Sequence, residues 1–211
     1  MVNKNDELTS EVNKEAEKLA EEIIKDLQLP DVSLKPIVLL LGGFQGSGKT
    51  TVIDILKDEL ELAVVSLDEI RQRMFDKKIV FSEEFKEIVA VTAMKVFEYL
   101  FYKGYSIAWD TNVTPFRIKQ VEDFLKSKGL NNYCLVKVYF ETSRKELVKR
   151  LGLRKDVAGR YKGTLDELEA SIKKDKVEDK SVYDMVINTE KLDAQAVAEV
   201  IRNRVKSFRV S

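Results

Sequence analysis

The octapeptide Gly43-Phe44-Gln45-Gly46-Ser47-Gly48-Lys49-Thr50 constrains this chain more than any other stretch. It matches G-x-x-x-x-G-K-[ST] at every fixed position, and its surroundings are those the motif requires. Ahead of it stands Ile37-Val38-Leu39-Leu40-Leu41, a continuous apolar run, the pattern of a strand buried on both faces of a parallel sheet. Behind it Val52, Ile53, Leu56 and Leu60 recur at helical spacing. Glycines let such a turn curl until consecutive N–H groups point inward at an anion. The helix that follows offers its electropositive N-terminus to the same anion. Lys49 has the reach for the β- and γ-phosphates of a nucleotide, and the Thr50 hydroxyl suits Mg²⁺. Nucleotide binding is expected from Gly43 through Thr51, with Phe44, Gln45, Gly46, Ser47 and Gly48 shaping the turn.

Strand-like and helix-like segments then alternate. Leu62–Ser66, Tyr105–Trp109, Tyr133–Phe140 and Tyr183–Ile187 read as further strands. Ser82–Lys103, Pro115–Lys128 and Asp193–Phe208 read as helices, and Ser143-x-x-Glu146 and Thr164-x-x-Glu167 as capping boxes that open two more. The alternation predicts parallel βαβ units in a three-layer α/β sandwich. At the N-terminal end, Val12, Ala16, Leu19, Ala20, Ile23, Ile24 and Leu27 form the apolar stripe of a helix over Leu8–Leu27, which needs cover from the domain or from a partner. Pro30 and Pro36 bracket a linker, so residues 1–35 form an appendage and residues 36–211 the main domain.

Composition removes whole classes of chemistry. The chain has no histidine, which excludes His general bases, Ser-His-Asp triads and His metal sites together. One cysteine, Cys134, lies in an apolar run and reads as a buried thiol in a reducing compartment. With no signal peptide and no long uncharged span, the expected location is cytoplasmic, away from membranes. The 36 basic and 36 acidic residues cancel, which argues against a long nucleic-acid substrate without excluding a local basic surface.

Ligands of open α/β sheets sit beyond the carboxyl ends of the strands. Asp68 follows the second strand there and Asp110 the third. A carboxylate so placed can hold the shell of a Mg²⁺ ion or take the proton of an attacking hydroxyl. Arg71 stands three residues after Asp68, on the same face of any helix starting there: it either pairs with that carboxylate or grips an anionic group of an acceptor.

Four blocks in order resemble the polynucleotide-kinase-like and zeta-toxin-like branch of P-loop kinases, together with small AAA_33-type ATPases. They are Gly42–Thr51, Ser66-Leu67-Asp68-Glu69-Ile70-Arg71, Ala108-Trp109-Asp110-Thr111-Asn112 and Arg150–Arg160. The resemblance covers Ile37 to Arg204 and leaves Met1–Lys35 unmatched. It implies a five-stranded sheet of order 2-3-1-4-5 with a helical lid, here about residues 145–180. It implies that Asp68 is the general base, that Arg71 binds an anionic group of the acceptor, that Asp110 sits near Mg²⁺, and that Asn112 orients the acceptor, with Arg117 set beside them as an acceptor contact. It implies that a lid arginine touches the β- and γ-phosphates: Arg150, Arg154 and Arg160 are candidates and Arg154 the first choice. Asn188-Thr189 resembles the loop that contacts adenine. Trp109 and Phe44 read either as base-stacking platforms or as packing, with packing preferred for Trp109.

The function expected is an ATP- and Mg²⁺-dependent kinase acting on a hydroxyl of a small molecule or nucleic acid; the absence of an N-K-x-D guanine motif favours ATP. A nucleotide-dependent ATPase or switch that meets a protein partner through Leu8–Leu27 is the alternative. A zeta-toxin-type kinase with that helix as its attached element and a sugar nucleotide as acceptor is a third.

Overall fold

The computed structural model describes residues 4–78, 82–129, 132–153, 165–174 and 179–210. The apolar run becomes β1 (Ile37–Gly42), buried at every position because it lies at the centre of the sheet. Around it stand β2 (Leu62–Ser66), β3 (Ser106–Asp110), β4 (Cys134–Glu141) and β5 (Met185–Asn188), all parallel and in the order β2-β3-β1-β4-β5. The architecture expected from the alternation and the resemblance is therefore the one observed.

Helices α2 (Lys49–Glu59) and α8 (Ala194–Val210) cover one face, where Leu39, Leu41, Val136 and Val138 meet Ile53, Leu56, Ala198 and Ile201. Helices α3 (Leu67–Asp76), α4 (Glu83–Tyr102) and α5 (Pro115–Ser127) cover the other. The helix starts are written in the sequence. The hydroxyls of Ser66, Ser82, Thr114 and Ser143 accept from the backbone N–H of Glu69, Phe85, Arg117 and Glu146, so each helix begins with a capped first turn. The box at Ser143 is only half formed. Glu146 turns to Arg150 at 3.0 Å, while the N–H of Ser143 donates to Glu190. The box at Thr164-x-x-Glu167 lies outside the described residues.

Strand β5 starts later than the expected Tyr183. A single 3-10 turn, Lys180–Val182, delivers Tyr183 as a buried anchor instead, and its hydroxyl donates to the carbonyl of Val113 at 2.5 Å. Between β4 and β5, α6 (Arg144–Gly152) and α7 (Leu165–Lys174) join through Leu147, Leu151 and Leu168 and through an ion pair of Arg144 with Glu169. These two helices occupy the region expected to form the lid.

The N-terminal helix, α1 (Lys4–Asp26), finds its cover within the chain. Val12, Ala16, Leu19, Ala20 and Ile23 are buried against α4, and Thr92 reaches the carbonyl of Ala16. Arg73 to Asp26, at 2.8 Å, and Lys77 to Glu22, at 2.7 Å, fasten the end of α1 to α3. The stripe that had left domain and partner both open is spent on the domain, so α1 is an added element of the α3–α4–α5 side. Among the described residues no helix is long and apolar enough to cross a membrane. Replacing Leu19, which is 1% exposed, by alanine is expected to cost about 2–5 kcal/mol of unfolding free energy in urea. A loss well under about 1 kcal/mol would mean that α1 unfolds separately from the domain.

Candidate active site

The turn between β1 and α2 is held from several sides. Gly43 adopts φ +123°, and a Cβ there would come within 2.6 Å of the Phe140 carbonyl oxygen, so only glycine fits. Its N–H donates to the side-chain oxygen of Asn112 at 2.8 Å, which ties the turn to the segment after β3. Gly48, at φ +100°, caps α2 without any side-chain hydrogen bond, leaving the first-turn amides to serve an anion. Inside the turn the Lys49 ammonium, 8% exposed, donates to the carbonyls of Gly43 at 2.6 Å and Phe44 at 3.0 Å and lies 3.4 Å from the Ser47 hydroxyl. A buried ammonium needs oxygen partners, and a phosphate group offers better ones than two carbonyls.

At the rim, the Thr50 hydroxyl donates to both oxygens of Asp110, at 3.0 and 3.2 Å. Register explains the meeting. Asp110 ends β3 opposite Ser66 of β2, one strand away from β1, where α2 begins. Burial pushes the Asp110 carboxyl above the usual carboxylate range, against the Thr50 hydrogen bond and the Lys49 charge that lower it; the charges of Asp68 and Asp54 add to the rise. A desolvated carboxylate beside a hydroxyl is the donor set of a small octahedral cation carried on phosphate oxygens rather than caged by protein. Among the described residues no cluster of three acidic or thiol groups provides such a cage.

Asp68 stands in the first turn of α3 and is exposed, with Arg71 at 2.7 Å. Both therefore lie on one helix face, as their spacing predicts, and Asp68 is close enough to act on the charge of Asp110. On the other side of the turn is a cavity of about 310 Å³ lined by Gly46, Ser47, Gly48, Thr51, Arg150 and Thr189 and walled by Leu192 and Val197. Arg150 is fixed there: it donates to Glu146 at 3.0 Å, to the Thr189 carbonyl at 2.7 Å and to the Thr189 hydroxyl at 3.3 Å, and lies 3.5 Å from the Ser47 carbonyl.

The other expected residues sit as follows. Phe44 is half-buried and packs on the α6–α7 cluster. Trp109 is fully buried against Phe97, 5.2 Å between centroids, as packing predicted. Gln45 and Thr51 remain in or beside the turn. Asn112 spends its side-chain oxygen on Gly43, and Asn188 spends its own on the N–H groups of Glu190 and Lys191. Thr189, the next residue, takes the contact with the cavity. Arg117 is half-buried at the start of α5, its guanidinium 5.4 Å from the centre of the Trp109 ring. Arg154 and Arg160 lie outside the described residues. Leu192 and Val197, which wall the cavity, were not foreseen, because apolar side chains just before and within a helix carry no chemical signature.

A family described as AAA domain matches residues 38–174. The chain belongs to this family. The match runs from β1 to α7 and takes in the phosphate turn, Asp68, Asp110 and Arg150. The APS kinase of Mycobacterium tuberculosis, solved with AMPPNP and APS, has 13% sequence identity and a TM-score of 0.57, with 82% of this chain and 99% of that one covered. A shikimate kinase from Aquifex aeolicus has 18% identity and a TM-score of 0.51 over 82% and 99%. A sugar kinase from Janibacter sp. HTCC2649 has 13% identity and a TM-score of 0.55 over 82% and 95%. At these identities the likeness establishes the small P-loop kinase fold. No curated protein matches the sequence.

In this member of the family the raised Asp110 carboxyl makes a signed prediction. The folded state binds the proton more tightly than the unfolded one, so stability is lost as pH rises from the ordinary carboxylate range through the raised value. Asp110→Asn removes that desolvated charge and is expected to raise Tm near neutral pH while weakening Mg²⁺-dependent nucleotide binding. Thermal melts with and without Mg²⁺ and nucleotide check both; a lower Tm in the variant would contradict the role given to burial.

Proposed function

We propose that this protein is a kinase that transfers the γ-phosphate of ATP to a hydroxyl group of an acceptor. The observation that carries the reading is the arrangement on either side of one turn. Buried Lys49 and the Thr50–Asp110 pair lie at its mouth, exposed Asp68 lies near that pair, and a half-open cavity lies behind. The cavity takes the nucleoside, with Arg150 and Thr189 beside it. The β- and γ-phosphates take the amides of Gly46 to Thr51 and draw Lys49 away from the Gly43 and Phe44 carbonyls. Thr50 and Asp110 would hold Mg²⁺, which would supply neutralisation of phosphate charge.

The Asp68 carboxylate accepts the proton of the acceptor hydroxyl as its oxygen attacks the γ-phosphorus. The new O–P bond forms, the bond from the γ-phosphorus to the β-phosphate bridge breaks, and ADP leaves. In the resting protein Arg71 pairs with Asp68 at 2.7 Å. An acceptor whose charged group engages Arg71 frees the base at the moment it is needed. Charge in the transition state is met by Lys49 and by cationic groups of the lid, Arg150 and Arg154 among them. The similar structures are an APS kinase, a shikimate kinase and a sugar kinase, so the fold alone accommodates diverse acceptors.

The switch reading asked the apolar stripe of α1 to meet a partner. That stripe lies against α4, which favours the kinase.

The test is transfer from γ-labelled ATP to a panel of 5′-hydroxyl oligonucleotides, nucleosides, sugar nucleotides and small alcohols. Once an acceptor is found, Asp68→Asn is expected to lower transfer by about 10²- to 10⁴-fold with nucleotide affinity unchanged. Transfer at the wild-type rate in that variant would refute the assignment of the base.

A further inference from the structure

We infer that Phe44 is a positioning residue: its ring docks α6 and α7 on the phosphate turn and so holds Arg150 at the nucleotide cavity. The inference rests on the nucleotide part of the reading above and adds a residue to that site.

Two short helices need such an anchor. α6 has 9 residues and α7 has 10, lengths at which a helix is marginal in water without packing. Their apolar contacts form a cluster apart from the two that flank the sheet, and its buried members are Leu147, Leu151 and Leu168. Val148, Ile172 and Phe44 pack against it. Among the described residues of this cluster, Phe44 alone comes from outside α6 and α7. α6 also leans on the turn itself: a Cβ built on Gly46 would stand 3.5 Å from the Leu147 carbonyl oxygen and 3.5 Å from Leu151. Phe44 further lines a cavity of about 390 Å³ whose walls are mostly polar, Glu141, Lys180, Asn188 and Glu190 among them. The α6–α7 cluster is where its ring finds aliphatic cover.

By its backbone Phe44 belongs to the turn. Its carbonyl accepts from the N–H of Ser47 at 3.1 Å and from the Lys49 ammonium at 3.0 Å. One residue therefore joins the phosphate-binding backbone to the helix pair. On α6, Leu147 and Leu151 stand three residues before Arg150 and one after it. The pair of Arg150 with Glu146 lies within α6 and moves with it. The contacts of Arg150 with the Thr189 carbonyl, at 2.7 Å, and with the Thr189 hydroxyl, at 3.3 Å, depend instead on where α6 stands. Removing the Phe44 ring leaves a void against the cluster. The contacts of Arg150 that then remain are polar, and water competes for each of them.

Calorimetry with Mg²⁺·AMPPNP on the wild type, Phe44→Ala, Arg150→Ala and the double variant forms a thermodynamic cycle that separates positioning from mere support of the turn. Each single substitution is expected to weaken binding by about tenfold. In the Arg150→Ala background, Phe44→Ala is expected to weaken it by less than about threefold, because the guanidinium that the ring places is gone. Phe44→Met keeps an apolar chain able to fill an irregular gap and is expected to recover most of the wild-type affinity. Should the alanine variant not fold, Phe44→Val takes its place in the same cycle. The inference is overturned if Phe44→Ala or Arg150→Ala binds as the wild type does, if the loss in the double variant is the product of the two single losses, or if Phe44→Met binds no better than Phe44→Ala. Absence of phosphate transfer to every acceptor, with the cycle intact, contradicts the kinase reading and leaves the inference standing. No heat with the wild-type protein overturns both.

Discussion

A buried ammonium inside a turn that only glycine can make is the contact on which the top of this molecule depends. Lys49 has left water and is held by two carbonyls of the turn it terminates, with the Ser47 hydroxyl nearby. The turn keeps this curl because Gly43 is pressed against the Phe140 carbonyl and tied to Asn112. Each partner comes from a different element: β4 supplies Phe140, and the connection after β3 supplies Asn112. The loop therefore inherits its geometry from the sheet, whose parallel register brings β1, β3 and β4 to the same level.

The same logic arranges the charges. Asp110 is desolvated yet receives the Thr50 hydroxyl, Asp68 stays exposed with Arg71 beside it, and Arg150 is spread over the carbonyls on the cavity side. Carboxylates thus lie on one side of the turn and a fixed guanidinium on the other, and the two sides have different tasks in the proposed reaction. Tyr183 adds a mechanical link. It joins the chain returning from α7 to the Val113 carbonyl, so the segment before β5 and the connection after β3 share one hydrogen bond.

Much of this was legible in the sequence because its signals are local. The five strands and the capped start of α6 follow from apolar runs and a hydroxyl cap, while the order around β1 came with the family resemblance. Lys49, Thr50, Asp68 and Asp110 were legible because their residue types stand at strand ends, where the fold places ligands. What escaped was long-range. Nothing near Asn112 tells that its side-chain oxygen takes the N–H of Gly43, because that hydrogen bond spans 69 residues. Glu146 prefers Arg150 one helical turn on to its own capping partner, and Asn188 bends its own turn while Thr189 faces the cavity. Such choices between local and distant partners depend on where the chain returns, which periodicity does not record.

The central claim is that the turn from Gly43 to Thr50 holds the terminal phosphates of a nucleotide in exchange for its own contacts to Lys49. Titration calorimetry with Mg²⁺·AMPPNP on the wild-type protein and on Lys49→Ala tests it most directly. The account predicts one-site binding in the wild type, weakened by about tenfold or more in the variant through loss of a charged hydrogen bond. No heat in the wild type, or equal affinity in both proteins, would contradict it.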